Sequence, residues 1–382
     1  MPPLTLLAAF ALAQTSDNFP KLWEQVSSSI SSRYYARKTR GEEMNRLLEK
    51  YKPIATEAHS RAEFSKAVND MIAEFHDSHF AFYGDDQQGY YVMDGLLRRT
   101  GAAEMPNIGA WYRLGPDGYT VQMVVNGGPA EAAGIRKGDK ILAADGKPFK
   151  PVASFGVDGN VKLSILRGYQ RWEKEVKPQK GSAVEMFLDG TRDSVRVIDQ
   201  GPKKIGYIHV WTLASDAFRN ALAGAVYGKL SETDAIVLDL RDGFGGRPEG
   251  FADPFFRPEA RLEWKTSFGD SKQLFGYQRP LIVLINEGSR SAKEVLSLIL
   301  KKSGRATLVG STTAGNVLGT FPQRLSDWAY IEIPMTDVIT DGVRLEGRGV
   351  DPDVRVPKEF DAEGHDLYLS KALEILTAKL KK

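Results

Sequence analysis

Leu281-Ile282-Val283-Leu284-Ile285-Asn286-Glu287-Gly288-Ser289-Arg290-Ser291-Ala292-Lys293-Glu294-Val295-Leu296 runs from a continuous apolar stretch, through a short polar turn, into a helix. Apolar residues without alternation fit a strand buried on both faces. Val295, Leu296, Leu298 and Ile299 then recur at helical spacing and give the helix one apolar face. The turn puts Ser291 at the helix start, at the edge of a sheet and beside unpaired backbone N–H groups. Acyl transfer needs both a presented nucleophile and donors for an oxyanion. A serine in this place is equally an ordinary helix N-cap.

Working outward, Lys204 to Trp211, Ala235 to Leu240 and Ala306 to Val309 are further short β-rich runs separated by helical stretches. This alternation predicts an α/β core with a mixed or mostly parallel sheet over about residues 204–358. A second glycine-rich turn, Asp239-Leu240-Arg241-Asp242-Gly243-Phe244-Gly245-Gly246, follows the second buried strand. Its glycines allow a backbone N–H to approach a ligand closely. Trp328 to Val343 reads as a hairpin, and Leu367 to Leu380 as a final amphipathic helix within a closing segment 359–382.

Upstream, residues 17–80 read as a helical domain. Phe19, Leu22, Trp23, Val26 and Ile30 repeat at helical spacing, as do Phe64, Ala67, Val68, Met71 and Ile72. Gly41 and Pro53 should divide it into two or three helices. From about 107 to 198 the pattern changes. Val121, Met123 and Val125 alternate, and Gly127-Gly128-Pro129 to Asp145-Gly146 gives turn, short helix, turn and strand. Val184 to Leu188 and Val195 to Ile198 flank Asp189-Gly190 and predict a hairpin. Residues 151–183 then form an unusually long connection.

Lys and Arg number 51 against 49 Asp and Glu, with no long run of one sign, so a nucleic-acid surface is not indicated. The chain has no cysteine, which excludes disulfides, thiol catalysis and cysteine-based metal sites. Leu4 to Leu12 is a short apolar run, and Ala11-Leu12-Ala13 fits a small-x-small cleavage pattern. Residues 1–13 therefore read as a signal peptide cut before Gln14, although Met1-Pro2-Pro3 lacks a basic residue. Export to the periplasm or outside the cell is the expectation. No apolar stretch is long enough to span a bilayer.

Four elements occur in a fixed order. They are the unit around Gly134 to Gly138, the Asp239-Leu240-Arg241…Gly245-Gly246 turn, Ser291-Ala292-Lys293-Glu294, and Glu346-Gly347-Arg348-Gly349-Val350-Asp351-Pro352-Asp353. Together they resemble the C-terminal processing (tail-specific) serine peptidases and their tricorn-core relatives, over nearly the whole chain. The resemblance implies an α/β, ClpP/crotonase-like peptidase core with an N-terminal helical segment and an inserted PDZ domain. It also implies a serine endopeptidase that acts on protein or peptide substrates and needs no metal or organic cofactor.

That family has two catalytic designs. In the serine–lysine branch a lysine stands 25 positions after the serine, and Asn316 occupies that place here. Asn cannot take a proton. Lys293, two residues from the serine on the new helix, should point away from it. The tricorn-like branch takes a histidine from the segment before the PDZ domain and a glutamate near the C-terminus. Of the five histidines, His79 in Asp77-Ser78-His79 matches that base, with His76 its nearest competitor. Ser78 matches the residue linking imidazole to glutamate, and Glu346 the orienting acid. A salt bridge to Arg344 or Arg348 is the plainer reading of Glu346, and a helix-dipole role that of Glu294. The implied mechanism has His79 deprotonate Ser291, with the N–H of Ala292 and that of Gly245 or Gly246 receiving the oxyanion. Gly243 and Asn316 are the candidate substrate-binding residues. An imidazole near its ordinary pKa would make kcat/KM rise through about pH 6 to 7. Competing readings are an inactive peptide-binding relative of the same fold, a PDZ-bearing chaperone, and a crotonase-like acyl-CoA enzyme.

Overall fold

The computed structural model describes residues 17–98, 100–156, 158–257, 263–272 and 276–381. The expected signal peptide lies outside them. The chain divides into two compact units, the first ending at His76.

The first unit is three helices: α1 (Phe19–Arg33), α2 (Gly41–Thr56) and α3 (Arg61–Ala73). The Asn18 side chain caps α1 by accepting from Lys21 N, and Ser60 caps α3 by accepting from Glu63 N. Their apolar stripes meet in a core where Phe19 and Phe64 stack with ring centres 5.3 Å apart. Pro53 does not end α2, which continues to Thr56. A proline there forfeits one N–H bond to the preceding turn, and the helix runs only three residues further.

The second unit opens with strand β1 (Ala81–Gly84) and helix α4 (Gln88–Leu97). An antiparallel sheet follows in the order β2 (Ala110–Gly115), β3 (Gly118–Val124), β4 (Lys140–Ala144), β5 (Val161–Arg167) and β6 (Gln170–Val176). It has its own core, including Ile108, Val121, Ile135, Ile141, Leu163 and Ile165. The expected long connection over 151–183 therefore contains the β5–β6 hairpin, turned at Gly168 with φ 57°.

The hairpin expected around Asp189-Gly190 is instead helix α5 (Ala183–Asp193). Gly190 serves packing here, not turning. A Cβ on it would lie 2.2 Å from Val125 Cγ1. The Asp-Gly pair imitated a turn because close helix packing and tight turns select the same residue.

The main sheet has six strands. In spatial order they are β7 (Arg196–Gln200), β8 (Lys203–His209), then β10 (Ala235–Asp239), β12 (Leu281–Ile285), β13 (Thr307–Gly310) and β17 (Val354–Arg355). Strand β7 is antiparallel and the rest are parallel. Short strands β9 (Thr212–Leu213) and β11 (Phe244–Gly246) pair beside it. Every residue of β10 and β12 is buried. On one face Ile236, Leu238, Val283 and Ile285 pack with α6 (Asp216–Tyr227) and α7 (Ala292–Lys302). On the other, Val237, Ile282 and Leu284 meet Tyr368, Ala372 and Leu376 of α8 (Leu367–Lys379). Helices on both faces are why these strands are apolar throughout.

Strands β14 (Gly319–Thr320), β15 (Gln323–Arg324) and β16 (Ala329–Glu332) follow β13 in sequence and belong to other, smaller sheets. The stretch read as one hairpin, Trp328 to Val343, is split. β16 pairs with β1 and β15, while Ile339–Thr340 turns back on Val343–Arg344. Among the described residues no helix is long and apolar enough to cross a membrane.

Candidate active site

The parallel strands β10 and β12 end side by side, and both glycine-bearing turns leave from that edge. In open α/β sheets this carboxyl edge is where ligands bind. The turn after β12 is closed by its own side chains. Asn286 N donates to Ser289 Oγ (3.0 Å), Gly288 N donates to Asn286 Oδ1 (3.0 Å), and Ser289 Oγ donates to Leu240 O (2.8 Å). Ser291 follows with φ 60° and ψ −130°. This left-handed backbone costs a non-glycine residue about 1–3 kcal/mol and persists only where its surroundings impose it. Its N–H donates to Asn316 O (2.8 Å) and to Glu294 Oε1 (3.2 Å).

Glu294 does more than the helix-dipole reading allowed. It is fully buried and also accepts from Thr313 Oγ1, Gly315 N (2.8 Å) and Asn316 N (2.9 Å). One carboxylate thus ties the serine turn to the 313–316 loop. Burial pushes its pKa up, and these bonds oppose that.

The turn after β10 comes against the serine from the other side. A Cβ on Gly245 would lie 2.3 Å from Ser291 Cβ, 2.6 Å from Ser291 Oγ and 3.1 Å from Ala292 N. Only glycine permits that approach, which brings the Gly245 backbone and the Ala292 N–H together beside the hydroxyl. Gly246, with φ 135°, lines a cavity beside Ser291 and abuts Leu213. Gly243 and Asn316 do not line it. A Cβ on Gly243 would strike Trp211 O, and Asn316 acts through its backbone on Ser291.

The turn itself is anchored by charge. Arg241 donates to Asp239, Glu359 and Asp366, and Lys137 of the β3–β4 connection reaches Asp242 (2.9 Å) and Glu359 (2.9 Å). Beneath it lies Lys293, fully buried, donating to Asp242 O (2.7 Å) and Arg241 O (3.4 Å). Its head points away from Ser291, as the helical spacing predicted. Burial pushes the ammonium down to about 7. Between that value and the ordinary lysine range the unfolded chain holds a proton that the folded chain lacks, so this group makes stability rise with pH. Wild type should therefore gain stability relative to Lys293→Met as pH is raised from about 7 to 9. Thermal unfolding of the pair across that range is the check, and parallel curves would refute it.

His79 arrives on the loop preceding β1, with φ 54°. Its Nδ1 lies 3.0 Å from Ser78 Oγ, and Ser78 Oγ donates to Glu346 Oε2 (2.9 Å). Glu346 also accepts from Ser78 N (3.3 Å), Val317 N (2.6 Å) and Leu318 N (3.2 Å). Arg344 Nη1 donates to the Glu346 backbone oxygen (3.2 Å), while the carboxylate accepts these bonds from Ser78, Val317 and Leu318. The single hydroxyl proton of Ser78 goes to the carboxylate, so Ser78 Oγ accepts from His79 Nδ1–H. That tautomer leaves Nε2 as the basic nitrogen. His79 and Ser291 line one cavity of about 230 Å³, without a hydrogen bond between them. Burial first, and the Arg290 charge second, push His79 down to about 3.

The other histidines are placed elsewhere. His76 is exposed, His209 stacks on Trp211 and bonds Arg241 O, and His365 pairs with Asp361. Sequence reading missed Arg290, Tyr83 and Glu332 on the cavity wall. Nothing in the spacing of a single sequence marks them.

Residues 204–356 match the model of peptidase family S41, and residues 106–176 match a PDZ domain. The core over residues 204–356 is that of peptidase family S41. It is similar to the carboxyl-terminal-processing protease of Synechocystis sp., with 26% identity over 356 residues, 87% of this chain and 80% of that one. A carboxyl-terminal-processing protease of Picosynechococcus sp. is 24% identical over 403 residues, 97% of this chain and 91% of that one. Among solved structures, the photosystem II D1 C-terminal processing protease aligns with a TM-score of 0.57 at 22% identity, covering 94% and 97% of the two chains. The tricorn protease aligns with a TM-score of 0.56 at 18% identity, covering 96% of this chain and 37% of that one. The peptidase thus has the α/β core and PDZ domain expected from its sequence, and it is a serine-type hydrolase.

Proposed function

We propose that this peptidase cleaves proteins internally, near their C-termini, with Ser291 as nucleophile and His79 as general base. The observation that carries this is the continuous relay Glu346–Ser78–His79, which ends at the cavity where a strained Ser291 meets Gly245. His79 Nε2 takes the Ser291 proton as Oγ attacks the peptide carbonyl. The Ala292 N–H and a backbone N–H of Gly245 or Gly246 receive the oxyanion, each donor worth about 3 kcal/mol in the transition state. His79 then protonates the leaving amine, and water releases the acyl-enzyme. Glu346 acts through Ser78, fixing the imidazole and stabilising its charged form.

The PDZ domain would hold an extended substrate by strand addition. The C-terminal preference is carried from the names of the two cyanobacterial relatives. Export, with a mature start near Gln14, follows from the apolar run at residues 4–12.

A fluorophosphonate probe tests the nucleophile, because only an activated serine reacts. The expected result is one adduct, mapped by mass spectrometry to the peptide containing Ser291, together with fragments from a casein digest. Labelling at another serine, or cleavage without labelling, would refute the assignment.

A further inference from the structure

Arg290 immediately precedes the nucleophile and lines its cavity. Its Nε is buried with no partner. Among the described residues no hydrogen bond or ion pair reaches its guanidinium. The remaining wall is largely apolar, with Val92, Met93, Leu96, Phe187 and Phe244. Arg290 is half-buried, and a charge held partly out of water among such side chains is stabilised by a counter-charge. The protein's own candidate is Glu332, which is buried across the cavity. Its oxygens are already engaged by Thr320 Oγ1 (2.8 Å) and Tyr83 OH (3.3 Å), and no ion pair joins it to Arg290. Burial also pushes its pKa up, which favours its neutral form.

Building on the Ser291–His79 reading, we infer that Arg290 makes this cavity a subsite for a substrate carboxylate close to the scissile bond. A guanidinium presents a planar fork that matches a carboxylate in two hydrogen bonds. It is the neighbour of Ser291 along the chain, so the carboxylate belongs to a substrate residue near the cleavage point. Two sources share this chemistry: an Asp or Glu side chain, or the free α-carboxylate of a short C-terminal tail.

The pairing also bears on the chemical step. His79 must become imidazolium during catalysis, and the unpaired Arg290 charge opposes it. The charged or titratable groups around the imidazole are Arg290 from the turn before α7, Tyr83 from β1, Glu332 from β16, and Glu346 through Ser78. A carboxylate seated on Arg290 cancels the one fixed cation among them. The preference should therefore appear in kcat as well as in KM.

The test uses matched internally quenched peptides with the full mature chain. One series carries Glu against Gln at successive positions around the scissile bond. A second carries a free against an amidated C-terminus a few residues beyond it. Wild type should favour the carboxylate member by roughly tenfold or more in kcat/KM. Arg290→Lys should keep part of that ratio, and Arg290→Gln should bring it close to one. The ratio is internal to each variant, so partial loss of folded enzyme does not affect it. A preference in the first series assigns the site to acidic side chains, and one in the second to chain termini. Wild type indifferent in both series, or an undiminished ratio in Arg290→Gln, overturns the inference. Ser291→Ala run alongside separates the two readings. Cleavage by that variant sinks the nucleophile itself, whereas an unchanged ratio with an inactive Ser291→Ala sinks Arg290 alone.

Discussion

Ser291→Ala should lower kcat by about 10⁶-fold, to the background that oxyanion stabilisation and binding alone provide. The fold should be unaffected. The Ser291 N–H bonds to Asn316 O and Glu294 Oε1 come from the backbone and survive the change. Alanine occupies the φ 60° backbone no worse than serine, since both carry a Cβ. The melting temperature should therefore stay within about 2 °C of wild type. Ser289→Ala is the contrasting control. Ser289 is fully buried and donates to Leu240 O, so its loss should lower stability by about 1–3 kcal/mol. Hydrolysis of a quenched peptide and thermal unfolding, measured on both variants, give opposite patterns if Ser291 reacts and Ser289 supports. Full activity in Ser291→Ala would remove the proposed mechanism.

What the sequence made legible follows from how local each cause is. Strands β10 and β12 were readable because burial on both faces forces a continuous apolar run, and a short turn between strand and helix needs no distant information. Lys293 was correctly turned away from Ser291 by helical spacing alone. The failures have non-local causes. Gly190 was read as a turn residue because its true constraint, Val125, lies 65 positions away in the chain. Pairing of β16 with β1 joins residues about 250 positions apart, which no hairpin signal encodes. Glu294 looked like a helix-dipole residue because its partners, Thr313 to Asn316, are brought in by the fold. Asn316 stands where one branch of the family has a lysine, yet here it contributes a backbone carbonyl that holds the Ser291 N–H. Arg290 gave no signal at all, since an arginine in a polar turn is ordinary until its surroundings are known.

His79→Ala should cost about 10³-fold or more in kcat, and the size of the companion losses tests the relay itself. Ser78→Ala removes the hydroxyl that receives Nδ1–H and donates to Glu346, while leaving the Ser78 N–H bond to Glu346 intact. Glu346→Gln keeps the shape of that acid but withdraws its charge, and its new amide faces the Val317 and Leu318 N–H groups that the carboxylate now accepts. Both changes act on the tautomer and on the stability of imidazolium, so both should reduce kcat less than His79→Ala and leave KM nearly unchanged. The pH dependence separates this arrangement from a base in an ordinary setting. With His79 held down to about 3 by burial and Arg290, the acid limb of kcat/KM, which reports the free enzyme, should fall below about pH 5. The limb through pH 6 to 7 expected from an unperturbed imidazole should be absent. The limb of kcat reports the substrate complex, and it should lie at higher pH for a peptide whose carboxylate neutralises Arg290 than for its amide counterpart. Lys293→Met should shift neither limb, because that side chain bonds to Asp242 O and not to the reacting atoms. An active His79→Ala beside a dead Lys293→Met would assign the base to the lysine and overturn the relay.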